Sequence, residues 1–394
     1  MNTILIIGSG ISGLSAADFL GSLGNNVVIL EKEGSIGGKI LSYCCKATDS
    51  CSRCGVCTAH EKLADTLKKK NVRIITGTDI KSVTNTGEKI TIKAERKNPY
   101  IDQQKCLDCG ACAEACPENC ISVYRRGDAV QYIVDYSKCR LHKGQECDVC
   151  MKTCPADAIE GKAAVKPLTL TGSDAFIATG HTVFDAAKKP RYGYGRMPNV
   201  ITGLELEEML SRELDFPEDV SDVAFIQCVG SRDPVLGRNY CSSVCCAYAL
   251  RMARVLKYRK PDIKVTVYYI DLQAFDKTFT RFKEELLSLG VQLIRGVPFR
   301  VDELESGKLR CMVEHGNGDE TIAEHDKVVL SVGMGPDLSS GEVAELFGLK
   351  QDEYGFLSSE KSNVYVSGTC ENPQSITESI ASAEAAAVKI GEKE

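Results

Sequence analysis

The hydrophobic pattern of the chain opens with a short apolar run, a glycine turn and a helix-like repeat. We predict a strand at Thr3–Ile7, a turn at residues 8–13, a helix at Leu14–Leu23 and a second strand at Asn26–Leu30. Short apolar strands on either side of one helix are typical of parallel sheets that are buried on both faces. The first residues therefore predict a β-α-β unit of the dinucleotide-binding type.

A similar pattern returns later in the chain. Further strands are predicted at Ala175–Gly180, Val223–Gln227, Val265–Ile270, Lys327–Val332 and Val364–Ser367, and helices at Lys62–Lys70, Val244–Tyr258 and Ser375–Ile390. Apolar and polar residues alternate over Val72–Lys97, which indicates a β-meander, and residues 41–60 are predicted to be irregular. These elements predict an α/β protein with two Rossmann-type units.

The first turn carries the glycine spacing of a dinucleotide site. Gly8, Gly10 and Gly13 match G-x-G-x-x-G between an apolar strand and a helix. In this motif the glycines allow a tight turn, close approach of a pyrophosphate and close packing of helix on strand. Glu31 ends the second strand, where an acidic group accepts hydrogen bonds from ribose hydroxyls.

The segments that follow the turn favour FAD over NAD. Residues 37–39 and Thr179–Gly180 resemble segments typical of two-dinucleotide flavoproteins, and Gly368 begins a segment where that class binds ribitol. Thr369 stands there in place of the usual acid, and the next helix would direct its N-terminus at the flavin. The predicted FAD-binding residues are Gly8, Gly10, Ile11, Ser12, Gly13, Glu31, Lys32, Gly37, Gly38, Lys39, Thr179, Gly180, Gly368, Thr369 and Ile376.

Composition adds a second kind of chemistry. The 394 residues include 20 cysteines and no tryptophan, and most of the cysteines are closely spaced. We find no signal peptide and no apolar run of the roughly 18 residues that cross a bilayer. Cysteines this close hold metals or clusters better than disulfides, so we expect a cytoplasmic protein of an anaerobic cell. The net charge of −6 gives no indication of a nucleic-acid partner.

Residues 98–164 contain a repeated cysteine motif. Its first copy is a complete C-x2-C-x2-C-x3-C-P, and its second copy has a longer first spacing. In two-cluster ferredoxins the fourth cysteine of each copy binds the other [4Fe–4S] cluster. We assign the first cluster to Cys106, Cys109, Cys112 and Cys154, and the second to Cys139, Cys147, Cys150 and Cys116. Cys120 is left over and is expected to be a buried thiol, and zinc is the alternative occupant of such sites.

Two further cysteine groups lie outside this insert. Cys51, Cys54 and Cys57 have the spacing of three cluster ligands, and either Cys44 or Cys45 would supply the fourth; zinc or free thiols are the alternatives. A second group occupies the turn where the second β-α-β unit would carry its glycines. It consists of Cys228, Cys241, Cys245 and Cys246, as cluster ligands or packed thiols. Cys311 and Cys370 are expected to pack in the interior.

Taken together, these motifs resemble the HdrA-like family, the FAD- and iron–sulfur-containing electron-transfer subunits of heterodisulfide reductases. The resemblance rests on GSGISG, the two-cluster insert, CVGSRD…YCSSVCC, RGVPFRV and SGTCENPQSITESIASAEAAA. It implies a thioredoxin-reductase-like pair of Rossmann-type domains with an inserted two-[4Fe–4S] ferredoxin-like domain. It also implies that the cysteines of the CVGSRD…CC element hold a third [4Fe–4S] cluster beside the FAD, and with the N-terminal group four clusters are expected in all. Arg251 corresponds to a lysine near the flavin in that family, and it keeps the positive charge without readily losing a proton.

The resemblance also implies domains and partners. The expected ranges are 1–97 (FAD-binding domain, first part), 98–164 (ferredoxin-like insert), 165–220 (second part), 221–319 (second Rossmann-like domain) and 320–394 (C-terminal part). Partners would be heterodisulfide reductase B- and C-like subunits, hydrogenase-, formate- or NADH-linked subunits, or ferredoxin, in a larger hetero-oligomer. Such partners would also account for a peripheral position at a membrane.

The expected activity is that of an oxidoreductase subunit that relays electrons, and some members of the family perform flavin-based electron bifurcation or confurcation. A quinone-interacting or aromatic acyl-CoA reductase complex is one alternative setting. A stand-alone NAD(P)H-dependent flavin reductase and a non-catalytic iron–sulfur scaffold are two others. The scattered histidines are expected to have surface or core roles: His60, His142, His181, His315 and His325.

Overall fold

The computed structural model describes residues 3–126, 128–211, 216–314 and 320–392. His315 and the predicted boundary after residue 319 lie outside these ranges. The strands are β1 Thr3–Ile7, β2 Asn26–Leu30, β3 Val72–Ile75, β4 Thr78–Asn85, β5 Ile90–Lys97, β6 Tyr100–Ile101, β7 Ile121–Arg126, β8 Ala129–Val134, β9 Ile159–Glu160, β10 Val165–Gly172, β11 Asp174–Ile177, β12 His181–Val183, β13 Val200–Thr202, β14 Asp222–Val229, β15 Lys264–Tyr269, β16 Val291–Arg295, β17 Pro298–Glu303, β18 Leu309–Glu314, β19 Glu320–His325, β20 Lys327–Val332, β21 Met334–Pro336, β22 Lys350–Gln351, β23 Leu357–Ser358 and β24 Val364–Val366.

The α-helices are α1 Ile11–Ser22, α2 Val56–Lys68, α3 Ala111–Ala115, α4 Val149–Thr153, α5 Gly203–Ser211, α6 Cys245–Arg259, α7 Phe279–Ser288, α8 Ser340–Phe347 and α9 Ile376–Gly391. Short 3-10 helices lie at Gly38–Ser42, Ala186–Lys188, Pro190–Tyr192, Pro234–Leu236 and Gly368–Cys370. Within the described ranges, no helix is both long and apolar enough to span a bilayer.

The first sheet consists of five parallel strands in the order β24–β11–β1–β2–β3. Successive side chains of a strand point to opposite faces. Ile4 and Ile6 of β1 therefore pack against α1, α2 and α9, whereas Leu5 and Ile7 pack against α8 and the three-stranded sheet β10–β5–β4. Both faces are covered, which explains why these strands are apolar along their whole length.

The second sheet repeats this arrangement in the order β13–β20–β14–β15–β16, again all parallel. Val223 and Phe225 of β14 pack against α5, α6 and α7. Ala224 and Ile226 pack on the other face against β17 and β18, where Cys311 is also buried as predicted. The chain therefore contains two doubly covered parallel sheets, and the predicted pair of Rossmann-type units is confirmed.

The second sheet includes two strands from outside segment 221–319, the range predicted for the second Rossmann-like domain. β13 and β20 pair with each other, and β20 pairs with β14. The second sheet thus takes strands from segments 165–220 and 320–394, which the sequence assigned to the FAD-binding domain. β20 is buried along its whole length, and a strand that is apolar on both faces suits the centre of either sheet. Hydrophobicity alone therefore does not decide which sheet it joins.

Local predictions near the cysteines of the N-terminal segment were partly wrong. Residues 56–60 were expected to be irregular, but they are helical. α2 begins at Val56 and ends at Lys68, whereas the expected helix was Lys62–Lys70. Val56, Ala59 and Leu63 form its buried face at helical spacing. β3 also leaves the expected meander and pairs in parallel with β2 in the first sheet. The other predicted strands and helices are confirmed, with ends that shift by a few residues.

Residues 98–164 lie between two paired strands, since β5 and β10 run antiparallel on either side of them. The segment pairs β6 with β9 and β7 with β8, and its interior contains cysteines together with a few apolar side chains. It is fixed to the first unit by polar contacts. Gln131 exchanges two hydrogen bonds of 2.7 Å with the backbone of Ile36, and Arg126 donates to the Tyr43 carbonyl at 2.7 Å.

His60 of α2 is a second anchor of this segment. Its Nε2 lies 3.3 Å from Arg126 Nη1, and its Nδ1 lies 3.0 Å from the Tyr124 hydroxyl. Arginine can only donate, so Nε2 must accept and the neutral ring carries its proton on Nδ1. Burial, with a smaller contribution from the Arg126 charge, lowers the pKa of His60 to about 4.

This anchor predicts weaker folding in mild acid. A histidine whose folded pKa lies below its unfolded value contributes its full stability above about pH 6.5 and loses it progressively as the pH falls toward 4. Between pH 7 and 5.5 the loss should be about 1 kcal/mol. His60→Gln keeps an acceptor for Arg126 but does not titrate, so it should flatten the pH dependence of unfolding in this range.

Chemical unfolding at pH 7.0, 6.25 and 5.5 measures this effect. His142→Gln, the same substitution made in the insert, is the control for the change of side chain. Equal slopes for wild type and His60→Gln would contradict the assigned protonation state.

Candidate functional site

A cavity of about 420 Å³ lies at the carboxyl ends of the first-sheet strands. Residues after β1, β2, β11 and β24 line one side of it, and residues of α5, α6 and the end of β20 line the other. Ligands of open α/β sheets bind at this edge. We call this space the main cavity, and both sheets contribute to its wall.

The glycine turn has the geometry that its spacing predicts. Gly8 has a φ of +100° and donates its N–H to the Leu30 carbonyl at 2.8 Å. A Cβ on Gly13 would lie 2.0 Å from the Gly8 oxygen, so α1 can approach β1 only with glycine there. A Cβ on Gly10 would meet nothing within 4 Å, because that position faces the main cavity. The turn leaves open space at the N-terminus of α1, where a phosphate fits.

Glu31 is held rigidly beside this turn. Its carboxylate accepts hydrogen bonds from Ser9 N at 2.8 Å, Ser9 Oγ at 2.6 Å and Glu33 N at 2.8 Å. Burial raises its pKa, and these hydrogen bonds oppose that rise by stabilising the charged form. A fixed acceptor in the cavity wall is what a ribose hydroxyl requires.

The sequence-predicted FAD residues converge on the main cavity. All of them line it except Gly13 and Gly368. Gly368 packs behind the wall, since a Cβ there would lie 2.0 Å from Ser12 Oγ. Gln374 Oε1 is buried in the wall and has no hydrogen-bond partner among the described residues. An open cradle at Gly10, a fixed carboxylate and an unsatisfied amide oxygen together fit a bound dinucleotide.

Several residues of the cavity wall escaped sequence reasoning. Lys46 and Glu207 form a buried ion pair at 2.5 Å, and Tyr248 donates its hydroxyl to the Val332 carbonyl at 3.0 Å. His181, expected in a surface or core role, also lines the cavity, with Nδ1 3.0 Å from Thr369 Oγ1. Burial, then the nearby Lys39, lowers the pKa of His181 to about 3, so it is neutral at pH 7.

Arg251 lines the main cavity from α6, as does Cys54 from the N-terminal segment. The guanidinium carbon of Arg251 lies 4.4 Å from the centre of the Phe275 ring. A cation stacked on an aromatic face is fixed in orientation. Arg251 therefore brings a fixed positive charge to the boundary between the cavity and the N-terminal cysteines.

The N-terminal cysteine segment has the backbone of a ferredoxin motif. Arg53 and Gly55 have φ values of +50° and +81°, and Gly55 caps α2. Asp108 and Gly110, at the matching positions of the insert, have +55° and +80°, and Gly110 caps α3. The same pair of left-handed residues thus turns three cysteines inward in both places. Without structural data, the C-x2-C-x2-C spacing with glycine after the second cysteine is the signal for this turn.

The fourth thiol of this group is decided by position. Cys57 has its thiol beside those of Cys45, Cys54 and Cys51. Cys44 is 1% exposed, packs in the core of the second sheet and donates its N–H to Glu207 at 2.9 Å. The structure brings Cys45, and not Cys44, to the other three cysteines.

The insert gathers the two predicted cysteine sets. A small cavity is lined by Cys106, Cys109, Cys112 and Cys154. Cys150 has Cys139, Cys147 and Cys116 among its neighbours, and burial with these thiols raises its pKa to about 12. Cys120, expected to be spare and buried, is buried but lies next to this second set, 3.4 Å from Cys116 in Sγ–Sγ distance.

The cysteines of the second Rossmann-type unit also converge. A third small cavity is lined by Cys228, Cys241, Cys245 and Cys246, together with Ser231, Arg232, Asp271 and Gln273. Arg232 and Asp271 in this lining form an ion pair at 2.6 Å. Ser231 Oγ is buried without a hydrogen-bond partner in the described part of the chain. Such an atom can donate to a cluster sulfur, which is one way a protein sets cluster potential.

The spacing of these thiols distinguishes a cluster from a single ion. Among the described residues, no three Cys, His, Asp or Glu side chains lie close enough together to bind one metal ion. Zinc needs its four ligands within one tight tetrahedron. A cubane separates its thiolates more widely, because each binds a different iron atom. The described cysteine groups are therefore not arranged around a single zinc ion.

Comparisons with known proteins identify two domain families in the chain. Residues 6–74 match the family of NAD(P)-binding Rossmann-like domains, and residues 105–158 match the 4Fe-4S dicluster domain. The fold is similar to that of thioredoxin reductases from T. acidophilum and Lactococcus lactis, with TM-scores of 0.55 and 0.54, identities of 14%, and coverage of 100% of this chain and 99% and 98% of theirs. The predicted thioredoxin-reductase-like fold and iron–sulfur domain are confirmed.

Close sequence relatives are A-type subunits of heterodisulfide reductases. The chain is 32% identical to the A-type subunit of the H(2):CoB-CoM heterodisulfide,ferredoxin reductase of Methanothermobacter thermautotrophicus, over 98% of this chain and 63% of that protein. It is 30% identical to the A-type subunit of the ferredoxin/F(420)H(2)-dependent CoB-CoM heterodisulfide reductase of Methanosarcina acetivorans, over 98% and 52%. The predicted resemblance is confirmed, and the chain spans between half and two thirds of the length of these relatives.

The two adjacent cysteines give a sharp test of the N-terminal site. Cys45→Ala should remove about four iron atoms per chain, because it deletes one thiol of a four-thiol set. Cys44→Ala, the matched control one residue away, should keep all iron. Iron and sulfide analysis of anaerobically purified protein measures both, and loss of iron only in Cys44→Ala would reverse the assignment.

Proposed function

We propose that the chain is an FAD- and [4Fe–4S]-dependent electron-transfer subunit of a heterodisulfide-reductase-like redox complex. The premise is that nearly the whole chain is homologous to the A-type subunits of heterodisulfide reductases. The observation that carries this proposal is that one cavity borders two cysteine sites. Cys54 lines it directly, and α6, which begins with the Cys245–Cys246 pair, lines it through Tyr248 and Arg251. A redox cofactor bound there would lie beside both sites.

Within the main cavity, each residue type has a distinct role toward FAD. The open backbone at Gly10 and the N-terminus of α1 would bind the pyrophosphate, and Glu31 would accept from ribose. The N-terminus of α9, capped by Ser375, points a second helix dipole at the cavity. Bound flavin supplies the ability to exchange electrons both in pairs and singly. Arg251 would stabilise negative charge at that end of the site.

The second Rossmann-type unit supports electron exchange through clusters and not through a nicotinamide. In this fold a nicotinamide nucleotide needs a glycine turn after the first strand of the unit. Here Cys228 lies near the end of β14, and the small cavity at that place is walled by thiols and the Arg232–Asp271 pair. We therefore propose that electrons reach the flavin from partner subunits or ferredoxin, and that NAD(P)H is not a direct donor.

Four clusters on this chain would form a path to those partners. The insert carries two of them and is joined to the wall of the main cavity through Ile36 and Tyr43. The names of the relatives given above include the CoB-CoM heterodisulfide together with H2, F420H2 or ferredoxin. For this chain we propose partners that comprise B- and C-type reductase subunits and a hydrogenase-, formate- or NADH-linked subunit. We extend the proposal to flavin-based electron bifurcation, because a flavin bound in the main cavity would lie beside two separate cysteine sites.

Cofactor analysis tests the proposal directly. Anaerobically purified protein should contain about 16 iron atoms per FAD, from four clusters of four irons. NAD(P)H should leave the flavin spectrum unchanged, whereas dithionite should bleach it. About eight irons per FAD would contradict both cluster assignments outside the insert. Absence of FAD would favour an iron–sulfur scaffold, and bleaching by NADPH would favour a stand-alone reductase.

Arg251 should tune the flavin. Arg251→Gln removes a positive charge next to the cavity and should lower the two-electron flavin potential by an amount on the order of 30 mV, equivalent to about 1.4 kcal/mol. Arg251→Lys should restore most of it. Arg254→Gln is the matched control, because Arg254 lies one turn along α6, stacks on Phe282 at 5.3 Å and does not line the cavity. An equal shift in Arg251→Gln and Arg254→Gln would contradict a direct role for Arg251.

A further inference from the structure

The insert contains one cysteine more than its two clusters require. Cys120 is 5% exposed, and its Sγ lies 3.4 Å from Cys116 Sγ, four residues earlier in the chain. Its thiol also interacts with that of Cys139. The three cysteines carry free thiols. Cys120 is therefore inside the second cysteine set of the insert and does not belong to a separate packing layer.

The internal repeat of the insert shows where this side chain points. Residues 116–120 and 154–158 form the same turn after the cysteine-proline step, with φ values of +47° at Asn119 and +48° at Asp157. Cys120 thus corresponds to Ala158 in the other copy. Ala158 lines the cavity of the first cysteine set, and its N–H donates to Cys154 Sγ at 3.4 Å. By this correspondence, Cys120 faces the second set as Ala158 faces the first.

The number of thiols then exceeds the number of iron sites. A [4Fe–4S] cubane takes four cysteine ligands, one on each iron. The first set offers four thiols, but the second offers five: Cys116, Cys120, Cys139, Cys147 and Cys150. Cys116 and Cys120 are the pair that share one turn, and their sulfur atoms are 3.4 Å apart, so the Cys120 thiol lies beside the position of the Cys116 sulfur.

We propose that Cys120 is a reserve ligand of the second cluster of the insert and takes the place of Cys116 on iron when that thiolate is lost. The exchange is a ligand substitution without redox change: the Fe–S bond to Cys116 breaks, the bond to Cys120 forms, and the Cys120 proton passes to the departing Cys116 sulfur, or to water where Cys116 has been replaced by alanine. The second cluster therefore survives loss of one ligand, whereas the first, with Ala158 at the matching position, does not.

This inference rests on the two-cluster assignment of the insert, and the wild-type iron content tests that assignment separately. The decisive comparison is between the two fourth cysteines of the motif. Cys116→Ala should keep the iron and sulfide content of wild type within the error of the assay. Cys154→Ala, the same change in the other copy, should lose iron or give the electron paramagnetic resonance signal of an oxidised three-iron cluster.

The double variant Cys116→Ala/Cys120→Ala should behave like Cys154→Ala and lose between one and about four irons per chain. If Cys116→Ala alone already loses as much iron as the double variant, the proposal is wrong. Full iron in the double variant would equally overturn it, because a ligand other than Cys120 would then replace Cys116.

A gain of function gives an independent readout if any loss variant folds poorly. Adding Ala158→Cys to Cys154→Ala places a thiol in the first set where Cys120 stands in the second. We expect this variant to recover the iron that Cys154→Ala loses and to abolish the three-iron signal. Failure to recover, with wild-type secondary structure by circular dichroism, would show that a thiol four residues after the cysteine cannot reach the cluster and would overturn the proposal.

Discussion

The buried ion pair between Lys46 and Glu207 fixes the relation between the cysteines and the main cavity. Lys46 follows the Cys44–Cys45 pair, and Glu207 lies on α5 of the second unit, so the pair joins the N-terminal cysteine segment to the second sheet. Glu207 also accepts the Cys44 N–H, which draws Cys44 into the core. Buried ion pairs add little net stability after desolvation, but an unpaired partner is costly. The pair therefore selects one register for the segment, with Cys45 and not Cys44 turned toward the cysteines that follow.

A single backbone device recurs wherever thiols converge. Non-glycine residues in the left-handed region include Arg53, Asp108, Asn119, Asp157 and Ser243, each two or three residues after a cysteine. The left-handed conformation is unfavourable for residues other than glycine. Its repetition therefore marks positions where the backbone must turn around a bound group. It also brings backbone N–H groups onto sulfur, as Arg53 does for Cys51 and Ser243 for Cys241. Such donors favour a charged thiolate and so help a cluster form.

The two Rossmann-type units show how one fold serves two kinds of ligand. In the first, glycines leave the end of β1 bare, and the N-terminus of α1 offers its N–H groups to an anion. In the second, Cys228 lies at the end of the corresponding strand, and Cys245 and Cys246 begin the corresponding helix. Both sites occupy the carboxyl edge of a parallel sheet, the place where this architecture binds ligands. Changing glycine to cysteine at one edge exchanges a phosphate site for a thiol site while the sheets stay alike.

The sequence by itself determined the features that depend on neighbouring residues. The glycine turn, most strands and helices, and the two insert motifs could be predicted because each rests on spacing within a few residues. The tertiary structure decided the features that depend on distant residues. β13 and β20 join the second sheet, and Cys45 completes the N-terminal cysteine group. His181 reaches the main cavity, and Cys120 lies in the second cysteine set of the insert. Lys46 and Glu207 are separated by 161 positions, and their contact exists only because the fold brings them together. The conformational preference of a segment depends on a few neighbouring residues. Burial and strand pairing depend on which surfaces the folded chain excludes from water.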